Sequence, residues 1–294
     1  MDYFTMTIMA ESSKKLFNRC IVRWIEVIGN GATILTIVNH PQIALNHLAR
    51  SETIKDTPEN RHHFISAITA YVQYGMMSDK DYKTHLETWR HLRHKNHEPL
   101  NARNFTGEPT ERQKEQMVDW KTVIKVRDEL PLSATKILLA MYSYIPPQRG
   151  GDFYDLKVYE TDPKTTEGNY IVLESHNHRL VMNDYKTKKV YGQNQIPLVE
   201  PLVKLLTEYW GKYKNPHNAL FIKAEREEPY DRKLFSNWAN RRLTEAFGKP
   251  ITLTAIRHSF VSVEDFNKPI VELKNSASAM THSVGQHLGY KWEK

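Results

Sequence analysis

The chain has 294 residues, 40% of them apolar and 26% charged, with a net charge of +7. Such a length makes one large or two medium domains, and the composition excludes a disordered chain. Cys20 is the single cysteine, which excludes an internal disulfide and a cysteine-rich zinc site and points to a reducing compartment.

The N-terminus lacks a basic segment followed by an apolar run, so no secretory signal is expected. The most apolar stretch, residues 20–38, carries Arg23, Glu26, Asn30 and two glycines and cannot span a membrane. A soluble, intracellular protein without a membrane partner is expected. Its positive charge suits a polyanion, because lysine and arginine release condensed counterions when they meet phosphates.

The first third reads as helices. Ser12 and Ser13 precede an apolar-periodic run over 16–28, which Gly29-Asn30-Gly31 stops. Asn39-His40-Pro41 opens a short helix with proline at its first position, and Thr57-Pro58 opens another that reaches Gly75. On the latter, Phe64, Ile65, Ile68, Tyr71 and Val72 recur at helical spacing. Ser78-Asp79-Lys80-Asp81 has the pattern of a cap before a further helix. There Tyr82, Leu86 and Trp89 form an apolar stripe, and Arg90, His94 and His97 line an adjacent face. A helical, polyanion-clamping domain over 1–97 follows. His91, His94 and His97, with His62-His63, resemble a metal cluster, but a spacing of three walks around a helix. No cysteine or paired carboxylate joins them, so neither a metal nor another cofactor is expected.

Residues 98–112 contain Pro99, Gly107 and Pro109, lack apolar periodicity and read as a linker to a second domain over 113–294. Thr110 to Gln113 cap a new helix, and Ser133 starts another that runs through Ile137, Leu138, Met141 and Tyr142 to Ile145. Segments 170–173, 178–182 and 190–196 look like strands of a small antiparallel sheet, with a hairpin elaboration over 161–170. Helices resume over 200–212, 230–247, 254–262 and 275–282. The expected fold is mainly α with a small antiparallel sheet, in two domains.

Within the second domain stand, in order, Pro146-Pro147-Gln148-Arg149-Gly150-Gly151-Asp152, then Asp184-Tyr185-Lys186-Thr187-Lys188-Lys189, Arg257-His258-Ser259-Phe260, Thr281-His282-Ser283 and Tyr290. The order Arg, Lys, Arg, His, Tyr suits an enzyme that cuts a phosphodiester with a tyrosine nucleophile and keeps the bond energy in a phosphotyrosine. The phosphorane carries extra negative charge, best met by planar, permanently charged arginines, here Arg149 and Arg257. Lys186, on a turn between strands, is placed to protonate the leaving 5′-oxygen, with Lys188 as its rival. His282 would donate to a phosphate oxygen and Tyr290 would attack.

These motifs resemble the tyrosine recombinase (phage integrase) family over about 113–290. Pro-Gln-Arg-Gly-Gly-Asp matches the family's first box, with Asp152 for its usual glutamate, and Ile256-Arg257-His258-Ser259-Phe260 and His282-Ser283 match the second and third. The resemblance implies a helical core-binding domain before the catalytic one, and a clamp on double-stranded DNA. It also implies metal-free integration or site-specific recombination by a homotetramer, with a virus or mobile element as source. Arg90, His94, His97, Lys188, Lys189 and His258 are then expected to touch DNA. Thr254 stands where the second box usually has histidine, which leaves His258 or His287 as candidate bases for Tyr290. Two other readings remain open: a nicking-closing enzyme like type IB topoisomerases, and a catalytically silent DNA-binding protein on the same fold. Metal-dependent nuclease chemistry would instead draw on Asp152 and Asp155.

Overall fold

The computed structural model describes residues 3–4, 9–76, 79–105, 109–263, 270–281 and 283–291. The chain divides into two compact units, Met1–Thr106 and Gly107–Lys294.

The first unit is helical: α1 (Glu11–Ile28), α2 (Ile34–Asn39), α3 (Pro41–Ala49), α4 (Pro58–Gly75) and α5 (Tyr82–Phe105). Thr57 accepts from the Asn60 amide and Pro58 opens α4, as their order predicts. Ser12 and Ser13, expected before α1, lie inside it, because the helix starts at Glu11. Three aromatics organise the core. Trp24 meets Phe64 and Trp89 edge-on at 5.7 and 5.9 Å, and all three are buried. Each indole N–H is satisfied by a carbonyl: Trp24 Nε1 donates to Ala44 at 2.9 Å, Trp89 Nε1 to Val38 at 3.2 Å. Those carbonyls belong to α3 and α2, so two short helices are tied to the long ones through the core. Burying such side chains contributes about 2–3 kcal/mol apiece.

Helix α5 continues through Pro99 to Phe105, where the linker was expected to have begun. A proline lacks an amide donor and crowds the preceding turn, yet the pattern of loop-forming residues that suggested a linker starts one turn too early.

The second unit opens with α6 (Glu111–Gln116), closed by a reciprocal capping box between Thr110 and Gln113, then α7 (Trp120–Glu129) and α8 (Ala134–Ser143). Helix α8 buries Ile137, Leu138, Leu139, Ala140, Met141 and Tyr142 in succession. A helix apolar on every side is an interior helix, and α7, α10, α11 and α12 pack around it. The strands β1 (Lys157–Tyr159), β2 (Asn169–Val172), β3 (Arg179–Met182) and β4 (Asn194–Pro197) form one sheet in that order. β2, β3 and β4 are antiparallel, as expected, but β1 joins β2 in parallel. The sheet is therefore mixed, and the hairpin expected over 161–170 is a crossing connection, since parallel neighbours cannot be joined by a tight turn.

A second correction falls before β4. The strand expected over 190–196 starts only at Asn194, because a helical turn, α9 (Lys188–Tyr191), precedes it and ends at Gly192 with φ 70°. After α10 (Glu200–Tyr213) come a short hairpin of β5 (Ile222–Lys223) and β6 (Glu228–Pro229), then α11 (Arg232–Phe247) and α12 (Leu253–Ser262). Two short helices follow, α13 (Ile270–Ala279) and α14 (Val284–Leu288), where a single one over 275–282 was expected.

Candidate active site

Helix α8 ends at Tyr144, and a buried Pro-Gln turn carries the chain to Arg149. Gln148, fully buried, donates Nε2 to the Pro146 carbonyl at 2.8 Å and to the Ala279 carbonyl at 2.6 Å. The first arginine therefore leaves the unit's innermost helix through a segment pinned to the end of α13. Arg149 precedes a 3₁₀ turn, Gly150–Asp152. A Cβ on Gly150 would come within 2.5 Å of Leu253 Cδ1, so only glycine lets this turn lie against α12.

Arg149 Nη1 points to the Thr281 carbonyl at 3.4 Å, and Thr187 Oγ1 donates to the same oxygen at 2.7 Å. Thr281 is buried at φ 58°, a left-handed conformation that β-branched residues rarely adopt. Strain of this kind collects at functional sites. Here it presents one carbonyl to the segments that carry Arg149 and Lys186.

Helix α12 supplies the second arginine. Thr252 caps the helix by accepting from the Ala255 amide at 3.0 Å. Arg257, 3% exposed, donates Nε to the Pro147 carbonyl at 3.1 Å and Nη1 to the Tyr290 hydroxyl at 2.9 Å. Its guanidinium carbon also lies 4.6 Å over the Tyr290 ring. Burial pulls its pKa down, and the Tyr290 and Tyr142 hydroxyls oppose that.

His258 was expected to touch DNA, and here the structure differs. Only 9% exposed, it turns inward, with its ring 4.7 Å from that of Tyr290 and Nδ1 2.8 Å from the Tyr290 carbonyl. A carbonyl only accepts, so Nδ1 carries the proton. Burial lowers the His258 pKa to about 4, with the carbonyl bond opposing and Arg257 adding to the fall. A neutral His258 thus holds the backbone of Tyr290 while Arg257 holds its side chain.

Asp152, at the end of the 3₁₀ turn, is 2% exposed, and its Oδ2 has no hydrogen-bond partner among the described residues. Desolvation raises its pKa to about 6 against the pull of Arg232, Arg149 and Arg257. The fully buried Tyr142 of α8 also has an unpartnered hydroxyl there, and feels Arg257, Asp152 and Tyr290.

The remaining expected residues fall as follows. Lys186 is exposed on the turn beside Thr187, and Lys188 and Lys189 are exposed on α9. Thr254 is exposed on the first turn of α12, one turn before Arg257. His282 lies outside the described residues. On α5, Arg90 and His94 are exposed, with His94 Nδ1 3.5 Å from Glu98 Oε1. His97 is half-buried with its ring 4.6 Å from that of His62, so it packs onto α4 rather than offering an open face.

Arg232, Tyr142 and Thr281 were not singled out from the sequence. Arg232 follows a capping aspartate, a signal of helix start alone. Tyr142 belonged to an apolar stripe, and nothing in a threonine announces a left-handed backbone.

The fold is similar to that of XerA recombinase. The crystal structure of that protein matches with a TM-score of 0.45 at 13% sequence identity, covering 95% of this chain and 94% of that one. No protein-family model matches the chain, and no curated protein matches it.

Proposed function

We propose that the protein is a DNA strand transferase, cleaving and rejoining DNA through Tyr290. The Tyr290 oxygen attacks phosphorus, the bond to the 5′-oxygen breaks, and the DNA 3′ end remains joined as a phosphotyrosine. Reversal by a 5′-hydroxyl restores a phosphodiester. The observation that carries this reading is the Arg257–Tyr290 pair. A buried guanidinium donates at 2.9 Å to a phenol oxygen, which stabilises the phenolate that attacks. With Arg149, it also supplies charge for the phosphorane. Lys186 is the proposed donor of the leaving-group proton.

Tyr290→Phe removes one hydroxyl. It is expected to abolish covalent attachment to DNA bearing a 5′-bridging phosphorothiolate while leaving DNA binding nearly intact. A covalent adduct that persists in this variant would transfer the role to another tyrosine. Thr254 favours a second reading, a DNA-binding protein that does not cut, because a threonine is a poor base at the position where the second box usually carries histidine. Wild-type protein that binds DNA and never forms the adduct would establish that reading.

A further inference from the structure

Arg232 opens α11 directly after Asp231, whose Oδ1 accepts from the Leu234 amide at 2.8 Å. The side chain lies back along the 3₁₀ turn that follows Arg149. A Cβ on Gly151 would stand 3.3 Å from Arg232 Cδ and Nε, so the missing side chain gives the arginine its bed. The guanidinium lies 5.7 Å over the Tyr154 ring, and Nη2 is 3.7 Å from Asp152 Oδ1. The contact is an ion pair, too long for a hydrogen bond. It joins a 55% exposed cation to a 1% exposed carboxylate. Among the described residues no other ion-pair partner of Asp152 occurs.

The Asp152 carboxylate faces charges on several elements: Arg232 on α11, Arg257 on α12, Arg149 beside it on the turn, and Asp184 after β3. Tyr142 on α8 and Tyr185 after β3 also feel it. Buried without hydrogen bonds to its outer oxygen, it gains nothing from its immediate shell except these cations. Arg232 exerts the largest favourable pull.

We infer that Arg232 is a positioning residue: through Asp152 it holds Arg149 and Arg257 in the arrangement that receives a phosphate. The inference rests on the proposed strand-transfer function. Asp152 is the counterion that keeps two like-charged guanidinium groups together in the empty site, and it does so only as a carboxylate. Arg232 keeps it in that form from the solvent side, and its exposed face leaves it free to contact the adjoining DNA backbone.

The test measures the rate of covalent DNA attachment from pH 5 to pH 9 for wild type, Arg232→Gln, Arg232→Lys and the double variant Arg232→Gln/Asp152→Asn, alongside the Asp152 carboxyl titration by NMR in the free protein. Arg232→Gln should move both the titration and the acid limb of the rate upward by about one pH unit, the lower end of an adjacent arginine's effect on a carboxyl. Arg232→Lys should restore most of each. In the double variant the limb should vanish, with no loss beyond that of Asp152→Asn alone. An unmoved titration in Arg232→Gln overturns the inference, and so does a moved titration with an unmoved rate profile. Absence of any adduct from wild type removes the proposed function, and this inference with it.

Discussion

A phenol oxygen held by a buried arginine leaves little latitude for substitution. Arg257 makes two directed hydrogen bonds from one planar fork, to Pro147 and Tyr290, and lies over the tyrosine ring as well. Lysine offers a point charge without that geometry. Arg257→Ala should slow adduct formation by about 100-fold or more, the loss typical of one anion-stabilising donor. Arg257→Lys should recover little of it in single-turnover assays, and near-normal cleavage by the alanine variant would end its assignment. Two neighbours act oppositely on stability. The raised carboxyl of Asp152, from 3.8 to about 6, contributes stability that is fully present below pH 3.8 and is lost as pH rises through 6. The lowered imidazole of His258, from 6.5 to about 4, contributes stability present above pH 6.5 and lost as pH falls through 4. Each shift corresponds to about 3 kcal/mol, so the two largely cancel between pH 4 and 6. Urea unfolding across that window should show stability rising more steeply with pH in Asp152→Asn than in wild type. In His258→Gln it should rise less steeply or fall. Parallel curves for all three proteins would mean that neither group is perturbed.

At the scale of elements, the turn between β3 and β4 decides between two lysines. In a plain hairpin Lys186 and Lys188 would share a face. Instead Lys188 opens α9, while Lys186 sits beside Thr187, whose hydroxyl is bound to the carbonyl that Arg149 also approaches. That tie favours Lys186 as the proton donor. A 5′-bridging phosphorothiolate, whose thiolate leaves without a proton, should therefore rescue cleavage by Lys186→Ala but not by Arg149→Ala. Rescue of Lys188→Ala, with Lys186→Ala barely impaired on ordinary DNA, would move the role two residues along. The same turn explains what the sequence could and could not disclose. Caps at Thr57, Thr110 and Ser133 were legible because a hydroxyl before an apolar period has one local use. Helix α9 was not, because Val190 and Tyr191 favour strands and four residues carry no period. Strand β1 has three residues, and its place depends on Ala219 and β2, far along the chain. The chemical order of Arg149, Arg257 and Tyr290 was visible in the sequence. The inward turn of His258 and the approach of Arg232 depend on packing that no local pattern encodes.

At the scale of the whole molecule, the excess of seven positive charges acts on DNA through counterion release rather than through any one contact. Each cation that meets a phosphate makes the logarithm of affinity fall by about 0.9 per decade of salt. Exposed cations occur in both units: Arg90 in the first, and Lys186, Lys188 and Lys189 in the second. If both units grip one duplex, replacing either group with glutamine should flatten the salt dependence of binding to a random-sequence duplex. The change should be about 0.9 for each residue that touches a phosphate. The sites are in separate compact units, so their effects should add. Fluorescence anisotropy between 50 and 200 mM salt, with a 25-base-pair duplex, measures this directly (both figures are of order of magnitude, set by the range over which counterion release is read). A flattened slope for the lysine variant with an unchanged slope for Arg90→Gln would confine DNA contact by these residues to the second unit. The first would then owe its helices to another partner. Unchanged slopes for both would mean that the positive charge serves something other than these two faces, and the DNA reading would lose its electrostatic support.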